Sequence, residues 1–154
     1  MGSCVSTNKS VLPLKTSIIS SQILFTSQSN QDSSLRLNPY MNKIHEITTQ
    51  QEFDDVINDT INVNVLIVCD FYANWCPPCL QIAPILYKWA LNDYKTCVIF
   101  MKINIDNNSD LSNNFSINVL PTFVLFKQGK EIYRLTGADS TNLKREIDKF
   151  KYHY

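Results

Sequence analysis

The chain has 154 residues, 44% hydrophobic and 11% aromatic, and fourteen basic residues balance fourteen acidic ones. That length suits one domain with an appendage, and the apolar content is sufficient for a core, which excludes a wholly disordered chain. Zero net charge without a dense basic run removes any electrostatic case for nucleic-acid binding, and no apolar run approaches the roughly 18–20 residues that span a bilayer.

Met1 to Met41 has a character of its own. The first forty residues hold ten serines, one acid (Asp32) and two aromatics (Phe25 and Tyr40). No helical or strand period persists, so the pattern predicts a flexible tail over 1–41 and a folded domain over 42–154. Ile18 to Phe25, interrupted by Ser20, Ser21 and Gln22, is too polar for a signal-peptide core. Met1-Gly2-Ser3-Cys4-Val5-Ser6 fits the N-myristoylation pattern, with Gly2 as the acceptor. One acyl chain binds membranes only marginally, and Cys4 offers a palmitoylation site as the second anchor. This reading expects a cytoplasmic protein tethered to a membrane by N-terminal lipid. The same Ser-rich, acid-poor stretch also fits an organelle presequence.

Lys43 to Ile47 reads as a short edge strand. Thr49-Gln50-Gln51-Glu52 has capping-box spacing, and Phe53, Val56, Ile57 and Ile61 follow on one face of an amphipathic helix. Val65 to Phe71 is a near-continuous apolar run, as in a central strand covered on both faces, with Asp70 its one exception. A tight link leads to Cys76-Pro77-Pro78-Cys79, after which Ile82, Ala83, Leu86, Trp89 and Ala90 keep helical spacing. Cys76 therefore falls at a helix start, with proline at the favoured first position, and Pro84 is expected to kink the helix. Cys97 to Ile105 reads as a second buried strand and Leu111 to Phe115 as a short helix. Thr122–Phe126 and Glu131–Leu135 flank Lys127-Gln128-Gly129-Lys130, a hairpin connection. A last helix, capped by Asp139 or Ser140, turns Leu143, Ile147 and Phe150 inward. The order βαβαβαββα implies a mixed sheet with helices on both sides.

Five cysteines (4, 69, 76, 79 and 97) at irregular spacing do not form a secreted disulfide framework. One close pair with scattered singles fits a reducing compartment, and Cys69 and Cys97 read as core residues of buried strands. A structural zinc site needs four ligands, yet no second pair exists and His45 and His153 lie far away in the chain. A redox pair needs a strand before it and a helix starting at it, and both are present. Disulfide exchange requires a thiolate, which the amides and dipole of a helix N-terminus favour by about 0.3–1 kcal/mol. Cys76 is then the nucleophile, and Cys79, three residues along, resolves the mixed disulfide. Asp70 has two readings: a strand-end carboxylate facing water, or a buried acid whose raised pKa suits it to shuttle a proton with Cys79. Trp75 is either a surface anchor or an apolar docking rim.

Trp75-Cys76-Pro77-Pro78-Cys79 resembles the active site of the thioredoxin family, and the resemblance extends over about 113 residues, from Asn42 to Tyr154. It implies the thioredoxin fold, an α/β architecture with a five-stranded mixed sheet flanked by four helices. It further implies that Asp70 is the family's buried aspartate, Lys102 the lysine near it, and Pro84 the kink of the active-site helix. Leu120-Pro121 matches the loop whose proline is cis and faces the dithiol, Gly129 the hairpin glycine, and Gly137-Ala138 the substrate groove, where Trp75, Pro77 and Leu120 also belong. From the residues alone, Pro121 reads equally as an ordinary trans proline and Lys102 as a solvated strand end. Two departures stand out. Pro77-Pro78 replaces the common Gly-Pro and leaves no amide at either position to face the sulfur, and Leu80 stands where many members carry a basic residue.

The expectation is a protein-disulfide reductase. It acts on disulfide-containing proteins, is recycled by thioredoxin reductase or a glutathione system, and needs no metal or organic cofactor. A disulfide oxidase or isomerase, or a binding module with little turnover, are the rival readings.

Overall fold

The computed structural model describes residues 38–59 and 62–152. The expected tail as far as residue 37, with Gly2 and Cys4, and the expected Ile61 and His153 positions lie outside the described residues. Among the described residues before 42, Tyr40 and Met41 lean on the apolar core, and Asn38 Nδ2 donates to Asn62 Oδ1 at 2.8 Å.

The chain runs β1 (Ile44–Ile47), α1 (Gln50–Asn58), β2 (Leu66–Tyr72), α2 (Pro77–Lys88), a π-helical turn (Trp89–Asp93), β3 (Val98–Asn104), α3 (Ser109–Asn114), β4 (Thr122–Lys127), β5 (Lys130–Thr136) and α4 (Ser140–Phe150). This is the expected architecture, one sheet of five strands in the order β1-β3-β2-β4-β5 with four α-helices among the described residues. β1, β3 and β2 pair in parallel, and β4 and β5 add antiparallel. The central strand β2 is buried along all but its last residue, which is why its sequence is apolar without alternation.

Alternate residues of β2 face opposite layers. Ile67, Cys69 and Phe71 point with Ile99, Met101 and Ile103 toward α1 and α3, whose Phe53, Val56, Ile57 and Leu111 close that core. Leu66 and Val68 point with Val98 and Phe100 toward α2 and α4, meeting Ile82, Leu86, Leu143 and Ile147. Each fully buried Leu, Ile or Phe here contributes about 1.5–3 kcal/mol. Asp70 belongs to this second face by strand alternation.

Local signals behave as their chemistry requires. Thr49 Oγ1 accepts from the Glu52 N–H at 3.1 Å, but Glu52 Oε2 reaches one residue further back, to the Thr48 N–H at 2.7 Å. The cap is thus reciprocal across two residues, and both first-turn donors are satisfied. Gln128 and Gly129 both have positive φ (52° and 73°), the pairing that a two-residue hairpin turn demands. Asp139 caps α4 by accepting from the Asn142 N–H at 2.9 Å. The widened turn after α2 has no counterpart in the sequence reading. It delivers Tyr94 into the core, where its hydroxyl donates to Asp148 Oδ1 of α4 at 2.9 Å. Cys97, expected inside a buried strand, lies in the turn just before β3 and is half-buried, because its N–H and that of Val98 both donate to Tyr94 O.

Candidate active site

Four residues separate the end of β2 from the start of α2, and this link sets the dithiol pair at the C-terminal end of the central strand. Cys76 is the N-cap of α2, extended at φ −92° and ψ 106°, with Pro77 and Pro78 filling the first helical positions. Neither proline has an N–H, so the first amide available to a sulfur is that of Cys79, which donates to Cys76 Sγ at 3.3 Å. The two sulfurs are joined, with S–S 2.06 Å and Cα–Cα 5.3 Å.

Both cysteines are only 3% exposed, and each opens on a different space. Cys76 lines an outer cleft of about 320 Å³ with Trp75, Pro77, Pro78, Ile105, Ile117, Asn118 and Leu120. Cys79 instead lines an inner pocket of about 190 Å³ together with Asp70, Tyr72, Leu80, Phe100 and Lys102. The bond joining them separates an apolar groove that could receive a polypeptide from a recess holding ionisable groups.

Trp75 is 66% exposed and stands over the cleft. Its indole N–H is shared between the two carboxylate oxygens of Asp106, at 2.9 and 3.3 Å. Asp106 escaped the sequence reading, since no spacing rule links an acid just after β3 to a tryptophan 31 residues earlier. The Leu120–Pro121 peptide bond is cis, and Leu120 packs on Ala73, Cys76 and Cys79. Gly137, at φ +87°, donates its N–H to Pro121 O at 2.8 Å, tying the end of β5 to the cis-proline loop. Of the expected groove residues, Trp75, Pro77 and Leu120 line the cleft, whereas Pro121 is buried behind Leu120, Gly137 reaches only Pro121, and Ala138 is exposed outside the lining. Pro84 lies within α2 on its exposed face.

In the inner pocket Asp70 is 7% exposed, and Oδ1 has no hydrogen-bond partner among the described residues. Burial pushes its pKa up to about 7, and the Lys102 charge offsets this only in part. Asp70 is thus a buried acid in the interior of the protein and not a strand-end carboxylate in water. Lys102 likewise lies within β3, as the register partner of Asp70. Its ammonium pairs with Glu46 Oε2 at 2.8 Å. Cys69, beside Asp70, is wholly buried, and burial drives its thiol pKa well up. Among the described residues no cluster of three or more His, Cys, Asp or Glu could hold a metal ion, and no helix is long and apolar enough to cross a membrane.

Comparison with known proteins agrees with this geometry. The thioredoxin family model matches residues 44–149. Thioredoxin 1 of Plasmodium falciparum is 36% identical over 104 residues, covering 68% of this chain and 94% of that protein. Thioredoxin H2 of Arabidopsis thaliana is 38% identical over 94 residues, 61% of this chain and 69% of that protein. Among solved structures, a poplar wild-type thioredoxin h superposes with a TM-score of 0.67 at 28% identity, over 73% of this chain and 99% of that one.

Proposed function

Because the chain belongs to the thioredoxin family and is a protein-disulfide oxidoreductase, we propose that it reduces protein disulfides through Cys76 and Cys79, with Asp70 moving the proton. The observation that carries this reading is the two-sided disulfide, with Cys76 on the outer cleft and Cys79 on the pocket that holds Asp70.

In the dithiol form, the Cys79 N–H and the N-terminal dipole of α2 favour a thiolate at Cys76. That thiolate attacks one sulfur of a substrate disulfide lying between Trp75 and Leu120, forming a Cys76–substrate disulfide and expelling the first substrate thiolate. Cys79 gives its proton to the Asp70 carboxylate and attacks Cys76 Sγ. The intramolecular disulfide forms, and the second substrate thiolate leaves. Two electrons pass from the dithiol to the substrate, and the two departing thiolates take up two protons, one of them returned through Asp70. A carboxyl titrating near 7 can accept the Cys79 proton in this direction and, once it has taken up another from solvent, supply one when the disulfide is reduced again. Recycling falls to thioredoxin reductase or a glutathione system, both of which supply thiols able to attack the exposed cleft side.

The reading is tested by turbidity in an insulin-reduction assay. Wild type is expected to precipitate the insulin B chain in the presence of a dithiol, and Cys76→Ser to be inactive. Cys79→Ser should accumulate a covalent adduct that a reductant releases. A wild-type protein with no rate above the dithiol alone would count against the assignment.

The Met1–Ser6 pattern supports a further proposal, N-myristoylation at Gly2 with palmitoylation at Cys4, which would hold the domain at the cytoplasmic face of a membrane. Gly2→Ala should release the protein into the soluble fraction. If it stays with membranes, myristoylation is not the tether, and import into an organelle becomes the reading to pursue.

A further inference from the structure

The inner pocket carries a polar network at its rim that dithiol exchange does not itself require. Lys102 has Glu46 as its register partner on β1 and Asp70 as its partner on β2, so the three residues form one row across three strands. The lysine therefore stands between two carboxyl groups. Its Nζ pairs with Glu46 Oε2 at 2.8 Å and lies 5.3 Å from the centroid of the Tyr72 ring. The Tyr72 hydroxyl donates to Glu46 Oε1 at 2.8 Å, so both oxygens of Glu46 are engaged. Asp70 Oδ1, on the other side of the lysine, has no such partner among the described residues.

We propose that Glu46 is a positioning residue for the dithiol reaction: braced by Tyr72, it holds and neutralises the Lys102 ammonium, so that Asp70 exchanges its proton with Cys79 free of a strong counter-charge. The inference rests on the reading that Asp70 serves Cys79. Without Glu46 the ammonium would act on the Asp70 carboxyl more strongly than the partial lowering it already exerts, drawing Asp70 toward the ionised form that has no proton to return. Glu46 acts against this twice over. It cancels the lysine's charge, and its own negative charge opposes a second anion nearby. The other titratable groups around Asp70 are Tyr72 and Cys69 on its own strand, Cys79 and Tyr87 from α2, and Lys102 from β3, while β4 presents the apolar Phe123. Among them Lys102 alone carries a charge near neutral pH, so its partner controls the field. The hydrogen bond from Lys102 also holds the Glu46 carboxyl below the usual carboxylate range, which keeps it anionic throughout the working pH.

The test is a ¹³C NMR titration of the Asp70 carboxyl in the disulfide form of the full chain. Glu46→Gln should lower the Asp70 midpoint by about one pH unit, and Tyr72→Phe should lower it less, because Glu46 loses only its brace. Lys102→Met should raise it. The pH at which dithiothreitol reduces the Cys76–Cys79 disulfide at half its maximal rate should move down with the midpoint in Glu46→Gln. An Asp70 midpoint unchanged in Glu46→Gln overturns the proposal, and so does a loss of thermal stability with no shift, since that is the mark of a merely structural residue. The titration is read without turnover, so failure of wild type to reduce insulin strikes the functional reading, whereas an unmoved midpoint strikes this one.

Discussion

On the α1/α3 side of the sheet, Phe53, Phe71, Phe115 and Phe126 meet ring against ring at centroid separations of 5.2 to 5.6 Å, mostly tilted or edge-on as aromatic quadrupoles prefer. The α2/α4 side uses the same strands and begins the same way, with Leu66, Val68, Val98 and Phe100 under Ile82 and Leu86. At the end nearest the disulfide it changes, and Asp70 and Lys102 take the places that apolar residues hold on the opposite face. One face gives up desolvation energy to bury a carboxyl in the pocket that Cys79 also lines, and the other face supplies stability without a buried carboxyl. Function and stability are thus divided between the two sides of one sheet, a few ångströms apart.

Substitutions on each side sharpen that contrast. Phe126→Ala, on the aromatic side, should cost about 3–5 kcal/mol, the usual loss for a buried phenylalanine, by the same amount at pH 5 and pH 8.5 in urea unfolding. A loss that changed with pH would show that this face is coupled to an ionisable group after all. Asp70→Asn should act with the opposite sign. Burial raises the folded-state pKa of Asp70 to about 7, above its ordinary value of 3.8. Its contribution to stability is therefore complete below the unfolded value and is lost as pH rises through about 7. The asparagine variant should exceed wild type by about 2–4 kcal/mol above pH 8 and show no such gain below pH 4, while mixed-disulfide resolution slows. Equal stability at high pH would mean that water or a rearranged lysine already satisfies the carboxylate.

Smaller effects probe the rims of the two faces. Asp106→Ala frees the indole of Trp75 at the cleft, and losing a hydrogen bond of about 1 kcal/mol should raise KM for a protein disulfide about fivefold, with kcat little changed. A fall in kcat alone would place Asp106 in the chemistry and not in substrate docking. Thr49→Ala removes the cap of α1, on the aromatic side and far from the sulfurs, and should cost about 1 kcal/mol without altering the rate of disulfide reduction.

Some of this was open to reading in the residues alone. An apolar run too continuous for a half-exposed strand marked β2 as central, and a dithiol between that strand and a proline-started helix marked the site. Capping residues and the Gln128-Gly129 turn marked the element ends, because such signals depend on neighbours within a few positions. The resemblance to the thioredoxin family added the cis bond at Pro121 and the nearness of Lys102 to Asp70, which no local rule supplies. The π turn that buries Tyr94 remained hidden, since its helix carries an ordinary period up to Trp89.

What the linear order determined was therefore local: which segments are strands or helices, and that a dithiol begins a helix. Tertiary structure alone decided that Glu46, Lys102 and Asp70 form one row, that Asp106 holds Trp75, and that the two sulfurs open on separate spaces. Hydrophobic period and capping act over three or four residues and are written in the sequence. Electrostatic partnership acts through space, and only the register of β1, β3 and β2 sets which charges become neighbours.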